Sequence, residues 1–217
     1  MLEDHYTDSF KKISQEKRDK ILTAAIIEFA ERGFDSANIN QIAQKAEISV
    51  GSLYKYFGSK EDLYLMIIRI GIESTKKVLE EIMQSEQDFL SRIELIIRTI
   101  QQHSRENLHL TKLYNIMAAE SKSELAGRIV SEMENVTAGL YASFIAEAQA
   151  SRSIRADIHP QLFAFFLDNL FITLQFSYSS DYYKERLRTF AGIDIHDQDE
   201  LMAEQLLKFI KGAFFLS

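Results

Sequence analysis

The sequence has no cysteine, which excludes disulfides and thiolate metal sites and fits a reducing compartment. It has one proline and eight glycines in 217 residues, so long stretches run without a breaker and helices are expected. No apolar run reaches the roughly 20 residues a bilayer span needs. The most apolar stretch, Leu162 to Phe176, is shorter and is interrupted by Asp168, Asn169 and Gln175. The first residues, MLEDHYTDSF, are acidic and polar and hold no hydrophobic signal core. These absences predict a cytoplasmic chain with no membrane partner. Catalytic signatures are missing too. His5, His103, His109, His159 and His196 form neither an HExxH motif nor an i, i+4 pair, so no metal site is expected. There is no nucleophile elbow and no glycine-rich phosphate loop. The reading is therefore of a protein that is not an enzyme and carries no cofactor.

What is present is enough apolar residue, 46%, to build a sizeable core in one or two domains. Net charge is −7, unevenly spread. Residues 1–8 hold three acids and no base, residues 9–69 hold ten Lys and Arg against eight Asp and Glu, and residues 70–217 hold 15 against 21. The positive part is thus an N-terminal segment, in which Lys11, Lys12, Lys17, Arg18 and Lys20 are placed to reach a nucleic-acid backbone.

That segment contains NINQIAQKAEISVGSLYKYF, residues 38–57. Asn38 is a good N-cap, and Gln41 completes a capping-box-like pair. Ile39, Ile42, Ala43 and Ala46 recur at helical spacing. Ser49 is a second N-cap after a short break centred on Glu47, and Leu53 and Phe57 follow on a core face. Two short helices joined by a tight turn make a helix-turn-helix, whose second helix reads base edges from its N-terminal residues. The candidate DNA contacts are Asn38, Ser49, Val50, Gly51, Ser52, Tyr54, Lys55, Tyr56 and Lys60. Gly51 permits close approach to the duplex. The hydroxyls of Ser49, Ser52, Tyr54 and Tyr56 suit phosphate oxygens, Val50 suits a thymine methyl, and Lys55 suits guanine or phosphate. Ser59 and Asp62 cap a further helix, whose start, with Lys60, is expected to seat a phosphate.

Residues 17–69 resemble the DNA-binding domain of TetR-family transcriptional repressors. The resemblance rests on Ile21, Ala24, Ala25, Phe29, Gly33 and Phe34, on Ile39, Ile42, Ala43, Ala46, Ile48, Ser49, Gly51, Ser52, Leu53, Tyr54, Tyr56 and Phe57, and on Lys60, Glu61 and Leu63. It covers about a quarter of the chain. Two positions depart: Ala37 stands where the family usually has a phosphate-contacting Thr, and Glu47 where it usually has a turn Gly.

The expected fold is all-α. An arm (1–13) precedes a three-helix DNA-binding domain with the helix-turn-helix (14–58). A helical ligand-binding and dimerisation bundle follows (59–217), its first helix (59–84) connecting the two. The first helix is expected over about Ser14 to Arg32, ended by Gly33. In the bundle the spacing predicts a helix from Phe89 to Ile100, a polar break over Gln101–Asn107, and a short helix through Leu110, Leu113, Tyr114 and Met117. After another break at Glu120–Glu124 come a long helix to Ala150, a helix from Pro160 to about Ser179, a short one over Tyr182–Phe190, and a last helix capped by Asp197 and Glu200.

The helix from Pro160 is apolar nearly all round and should be buried on more than one side. By resemblance, residues 160–179 and 198–215 pair with their mates in a homodimer. Two readers about 34 Å apart would then match a palindromic operator. A sensor pocket is expected within residues 80–180, with Tyr114, Met117, Tyr141, Phe144, Phe163, Phe166, Phe171 and Tyr178 as candidate lining. Asp168, an acid within the most apolar helix, needs a partner; it would hold a cationic or hydroxylated ligand or bond across the dimer interface. The function implied is a repressor released from its operator by a small apolar or amphipathic effector. The alternative is an all-helical small-molecule carrier or enzyme with a vestigial helix-turn-helix.

Overall fold

A computed structural model describes residues 5–119 and 124–215, with eleven helices and no strand among them. In order they are α1 (Asp8–Lys11), α2 (Gln15–Ser36), α3 (Ile39–Lys45), α4 (Val50–Tyr56), α5 (Lys60–Met83), α6 (Phe89–Glu106), α7 (Leu108–Ala119), α8 (Glu124–Ala150), α9 (Pro160–Ser179), α10 (Asp181–Ala191) and α11 (Asp199–Phe214). Several of these helices start on a side-chain cap that satisfies an otherwise orphaned amide. Ser14 accepts from Lys17, Asn38 from Asn40, Ser49 from Ser52, Ser59 from Asp62 and Asp88 from Ser91.

The N-terminal unit packs α1 to α4 and the first half of α5 around Ile21, Phe29, Ile42, Leu53, Phe57, Leu63 and Ile67, each nearly or fully buried. Residues 5–13 are not a free arm. The Phe10 ring is 2% exposed and sits 4.7 Å from that of Phe57, while the Thr7 amide donates to the Tyr56 carbonyl. Helix α2 breaks direction at Gly33, where φ is 69°, and makes one more turn to Ser36.

The body is a second core of α5 to α11. Phe89 on α6 stacks on Phe144 of α8 at 4.6 Å, and Phe214 of α11 closes against it at 5.1 Å. The break expected over Gln101–Asn107 is absent: α6 continues to Glu106, because Gln101 and Ser104 are buried and the Gln101 amide donates to the Asp199 carbonyl. The break expected at Glu120–Glu124 falls mainly on residues outside those described. Helix α11 starts without a side-chain cap. Its first-turn acids instead tie it to α6, Glu200 to Arg98 and Asp199 to Arg105, each at 2.6 Å.

Two helices join the units. Helix α5 contributes to both cores, and α7 packs on α2 of the N-terminal unit and on α9 of the body. Among the described residues no helix is long and apolar enough to cross a membrane.

Candidate DNA-reading face and ligand cavity

Helices α3 and α4 are joined by a turn that closes α3 in a specific way. The Ile48 amide donates to the Ala43 carbonyl at 3.0 Å, and Glu47 between them has φ of 56°. This is the left-handed helix ending in which glycine is the comfortable residue, since a Cβ costs roughly 1 kcal/mol there. Glu47 occupies it, and its carboxylate takes an ion pair from Lys20 at 3.2 Å, which raises the Lys20 pKa chiefly through that hydrogen bond.

The other end of α3 is held by a residue outside the motif itself, one that sequence reasoning did not single out. Glu28 on α2 is 2% exposed. It accepts from the Asn38 amide at 3.2 Å, from Lys45 at 3.3 Å and from Arg32 at 3.2 Å. The carboxylate thus does from α2 what Gln41 is expected to do locally, and it clamps both ends of α3. Helical spacing puts Glu28 among buried neighbours, Ala24, Ala25 and Phe29; an acid on a core face is the signal that could have found it.

The structure sorts the candidate DNA contacts. Asn38, Ser49, Gly51, Tyr54 and Lys55 are exposed, and Ser52 is half-exposed. They lie at the start of α3 and along α4. The Ser49 and Ser52 hydroxyls are 2.8 Å apart, so both are held at the start of the reading helix. Val50 is partly buried against the core. Tyr56 is not on this face: its ring is 8% exposed and lies beside Phe10, because it falls one residue before Phe57 where the helix turns inward. Lys60 is committed within the protein. Its ammonium donates to the carbonyls of Asp35 and Ala37 at 3.1 and 3.4 Å and lies 4.8 Å from the Phe34 ring centre. At the start of α5, where a phosphate seat is expected, the Asp62 carboxylate takes the Ser59 hydroxyl at 2.8 Å.

Gly51 is informative for what does not surround it. A Cβ built there meets only the Ser49 Oγ, at 3.9 Å. No internal contact demands glycine.

Within the body lies a cavity of about 230 Å³. It is walled by Val78, Leu79 and Ile82 of α5, Ile96 and Ile100 of α6, and Phe171, Ile172 and Phe176 of α9. Tyr114, Met117, Tyr141, Asp168 and Phe171 of the expected set line it. Phe144, Phe163, Phe166 and Tyr178 do not. Phe144 is spent on its stack with Phe89, and Phe163 packs on Phe214 at 5.3 Å. Phe166 is 53% exposed on the outer face of α9. Tyr178 turns away to give its hydroxyl to Asp199. The polar lining, Ser74, Thr75, Thr99, His103, Glu134, Thr137 and Gln175, is not evident from sequence, because such residues on amphipathic helices resemble a solvated face.

Burial dominates the cavity's electrostatics. It pushes the Asp168 carboxyl up to about 6, with Glu134 adding to the shift. It pushes the Tyr141 and Tyr114 phenols far up and holds His103 below its usual value. The Tyr114 hydroxyl is buried with no hydrogen-bond partner and abuts α5 where Gly71 leaves room: a Cβ there would stand 1.4 Å from it. Tyr114 and Met117 belong at once to the cavity wall and to the core of the N-terminal unit. No group of three or more metal-ligating side chains occurs among the described residues.

Outside the body, Leu162, Phe165 and Phe166 on α9 and Leu201 and Phe209 on α11 are exposed. Helix α9 is buried against α6, α7, α8 and α10, as its all-round apolar pattern predicts, and is left uncovered within one chain along Leu162, Phe165 and Phe166.

Comparison with known proteins places these features. Residues 21–67 match the model of bacterial regulatory proteins of the tetR family. The HTH-type transcriptional regulator YdgC of Bacillus subtilis is 32% identical over 118 residues, which cover 51% of this chain and 60% of that protein. The chain thus matches about three-fifths of that relative's length. A TetR family regulator from Chloroflexus aurantiacus has a similar fold, with a TM-score of 0.70 at 22% identity over 98% of this chain and 99% of that one. FadR of Bacillus subtilis, solved with stearoyl-CoA, gives 0.69 at 18% identity over 87% and 96%.

Proposed function

We propose that this chain, whose residues 21–67 match the model of the tetR family of bacterial regulatory proteins, is an effector-responsive repressor that binds a palindromic operator as a homodimer. The family is one of regulators and not of enzymes. The observation that carries the reading is the exposed start of α4. Gly51 is free of internal contacts, and Ser49, Ser52, Tyr54 and Lys55 stand around it. This presents a small-residue approach surface ringed by hydroxyls and a cation, which suits base edges flanked by phosphates. The contact set narrows to those residues with Asn38, and Tyr56 and Lys60 move to the support.

Dimerisation runs through the exposed apolar residues of α9 and α11. Leu162, Phe165 and Phe166 recur on one stripe, and large apolar side chains on a monomer surface mark an interface. A two-fold pairing presents two identical readers, which a palindrome matches.

Release follows from differential binding: an effector must fit the cavity better in the released state than in the DNA-bound one. An effector pressing on Tyr114 and Met117 presses on residues that also hold the reader's core, and α5 carries the displacement to the start of its own first turn, beside α4. An amphipathic ligand suits the apolar wall, and the stearoyl-CoA of the similar FadR supports an amphipathic class.

The test is a selection of bound sequences from random duplexes at two salt concentrations. One palindrome, bound more weakly at higher salt, is expected. Tyr54→Ala and Lys55→Ala should then weaken its binding without unfolding the chain. Only sequence-blind binding, with and without cell extract as a source of effector, would refute the reading.

A further inference from the structure

The cavity's charge is one-sided. Asp168 from α9 and Glu134 from α8 both line it, and among the described residues no lysine or arginine does. Burial holds His103, the one base in that lining, below its usual value. Glu134 is exposed, so it lies where the cavity reaches solvent, while Asp168 is mostly enclosed. Among the described residues no cation and no hydrogen bond acts on Asp168; the neighbour that influences its charge is the second acid, Glu134. A carboxylate taken from water without a partner is costly, and a second carboxylate beside it raises that cost. Beside these acids, α8 and α9 meet through Tyr141 and Phe171, whose rings are 5.7 Å apart.

One further residue of the lining carries an uncompensated polar group. The Tyr114 hydroxyl is buried without a partner. Tyr141 is 3% exposed and lines the cavity, and only burial and Asp168 act on its phenol. Buried polar groups in native structures are paired, and exceptions ask for a ligand or ion to explain them. Here the groups without a partner are an acid with a second acid nearby and the Tyr114 hydroxyl, in a lining whose apolar wall includes Ile100 and Phe171.

We propose that the effector is a small amphipathic organic cation, an aryl- or alkylammonium, whose charge is held by Asp168 and Glu134 while its apolar body lies on Ile100, Tyr141 and Phe171. This rests on the reading of the chain as an effector-responsive regulator and specifies its ligand. An ammonium relieves the repulsion between the acids and supplies Asp168 with charge-assisted hydrogen bonds in a low-dielectric site. A neutral ligand of the same shape leaves both acids as they were. An anionic one adds a third negative charge with no cationic side chain in the lining to meet it. The class is therefore opposite in charge to acyl thioesters of coenzyme A.

The experiment uses three probes with one apolar body and different heads: phenylbutylammonium, phenylbutanol and phenylbutyrate. Binding to the full chain is measured by titration calorimetry without DNA at about pH 8, where the amine is charged. The ammonium is expected to bind about ten-fold or more tightly than the alcohol, and the carboxylate most weakly. Asp168→Asn should bring the ammonium down to the alcohol's affinity and leave the alcohol unchanged. Glu134→Gln, at an exposed site that does not support the fold, should lower the preference several-fold, and it serves if the Asp168 variant does not fold. The proposal is overturned if the ammonium does not bind, if the alcohol or carboxylate binds as well, or if the preference survives both substitutions. Because no DNA is present, failure to find an operator would overturn the regulator reading without touching this result, and the reverse holds equally.

Discussion

Gly51→Ala separates folding from recognition. In the protein alone the new methyl has space, its nearest neighbour being the Ser49 Oγ at 3.9 Å, an ordinary van der Waals distance. Alanine also loses less backbone entropy than glycine on entering a helix, worth about 1 kcal/mol in a helix interior and roughly half of that in the first turn. The variant should therefore be slightly more stable, with a urea midpoint shifted upward and an unchanged slope. On DNA the sign reverses. If α4 seats its start against the duplex, the methyl stands where two surfaces meet, and overpacking of one carbon costs about 1–3 kcal/mol. That is roughly ten- to hundred-fold in affinity. The assay is a titration of the selected palindrome and of a scrambled duplex, with denaturation of the same preparation. The salt dependence should stay as in the unaltered protein, since no cation is removed. Full operator affinity in a variant of raised stability would refute the placement of Gly51 at the duplex. Lower stability would refute the open space around it.

Glu47→Gly should stabilise the chain by about 1 kcal/mol, because the φ of 56° suits glycine and the pair lost with Lys20 is solvent-exposed and weak; urea denaturation reads this. Glu28→Ala should destabilise it by about 2–4 kcal/mol, since the Asn38 amide, Lys45 and Arg32 lose a shared buried acceptor. Operator affinity should fall only in proportion to the folded fraction. Phe165→Glu with Phe166→Glu should yield a folded monomer in sedimentation equilibrium, as both rings are exposed in one chain; an unchanged dimer would move the interface elsewhere. The stability advantage of Asp168→Asn over the unaltered chain should grow with rising pH. The Asp168 carboxyl, at about 6 when folded against an ordinary 3.8, binds its proton more tightly folded than unfolded. The acid's presence therefore costs stability above pH 6, by about 3 kcal/mol, and that cost fades as pH falls toward 4. Denaturation at pH 8 and pH 4 should show the asparagine variant's advantage only at the higher value. Across the same range phenylbutylammonium should bind the unaltered chain more weakly as pH drops through 6. The other titratable groups facing Asp168 are Glu134 and Tyr141 of α8, His103 of α6 and Tyr114 of α7.

Local signals carried the N-terminal unit. Asn38, Ser49 and Ser59 each cap the helix their position suggests, because a cap bonds within its own first turn and needs no distant partner. Glu47 was legible for the same reason, as a residue at odds with the turn it must make. What escaped were residues whose role depends on sequence-distant neighbours. Glu28 serves α3 from α2. Tyr56 is held inward by Phe10, which lies three helices earlier in the chain. Lys60 is held by carbonyls at the end of α2. The cavity was half legible. Aromatic residues at helical spacing fit either core or pocket, and only packing sends Phe144 to Phe89 and leaves Phe171 facing space. Asp168 stood out because an acid in an apolar helix is conspicuous wherever it points.

The double membership of Tyr114 and Met117 constrains how such a protein can change. A residue that shapes the effector site and also fills the core under α2 cannot be retuned for a new ligand without altering the melting of the DNA-binding unit. Drift in ligand preference should be channelled to the opposite wall, where Glu134, Thr137 and Gln175 face the cavity and take no part in that core. Selection for a new effector in a randomised library should therefore accept substitutions on α8 and α9 freely, and take those on α7 only with second changes that restore the reader's support.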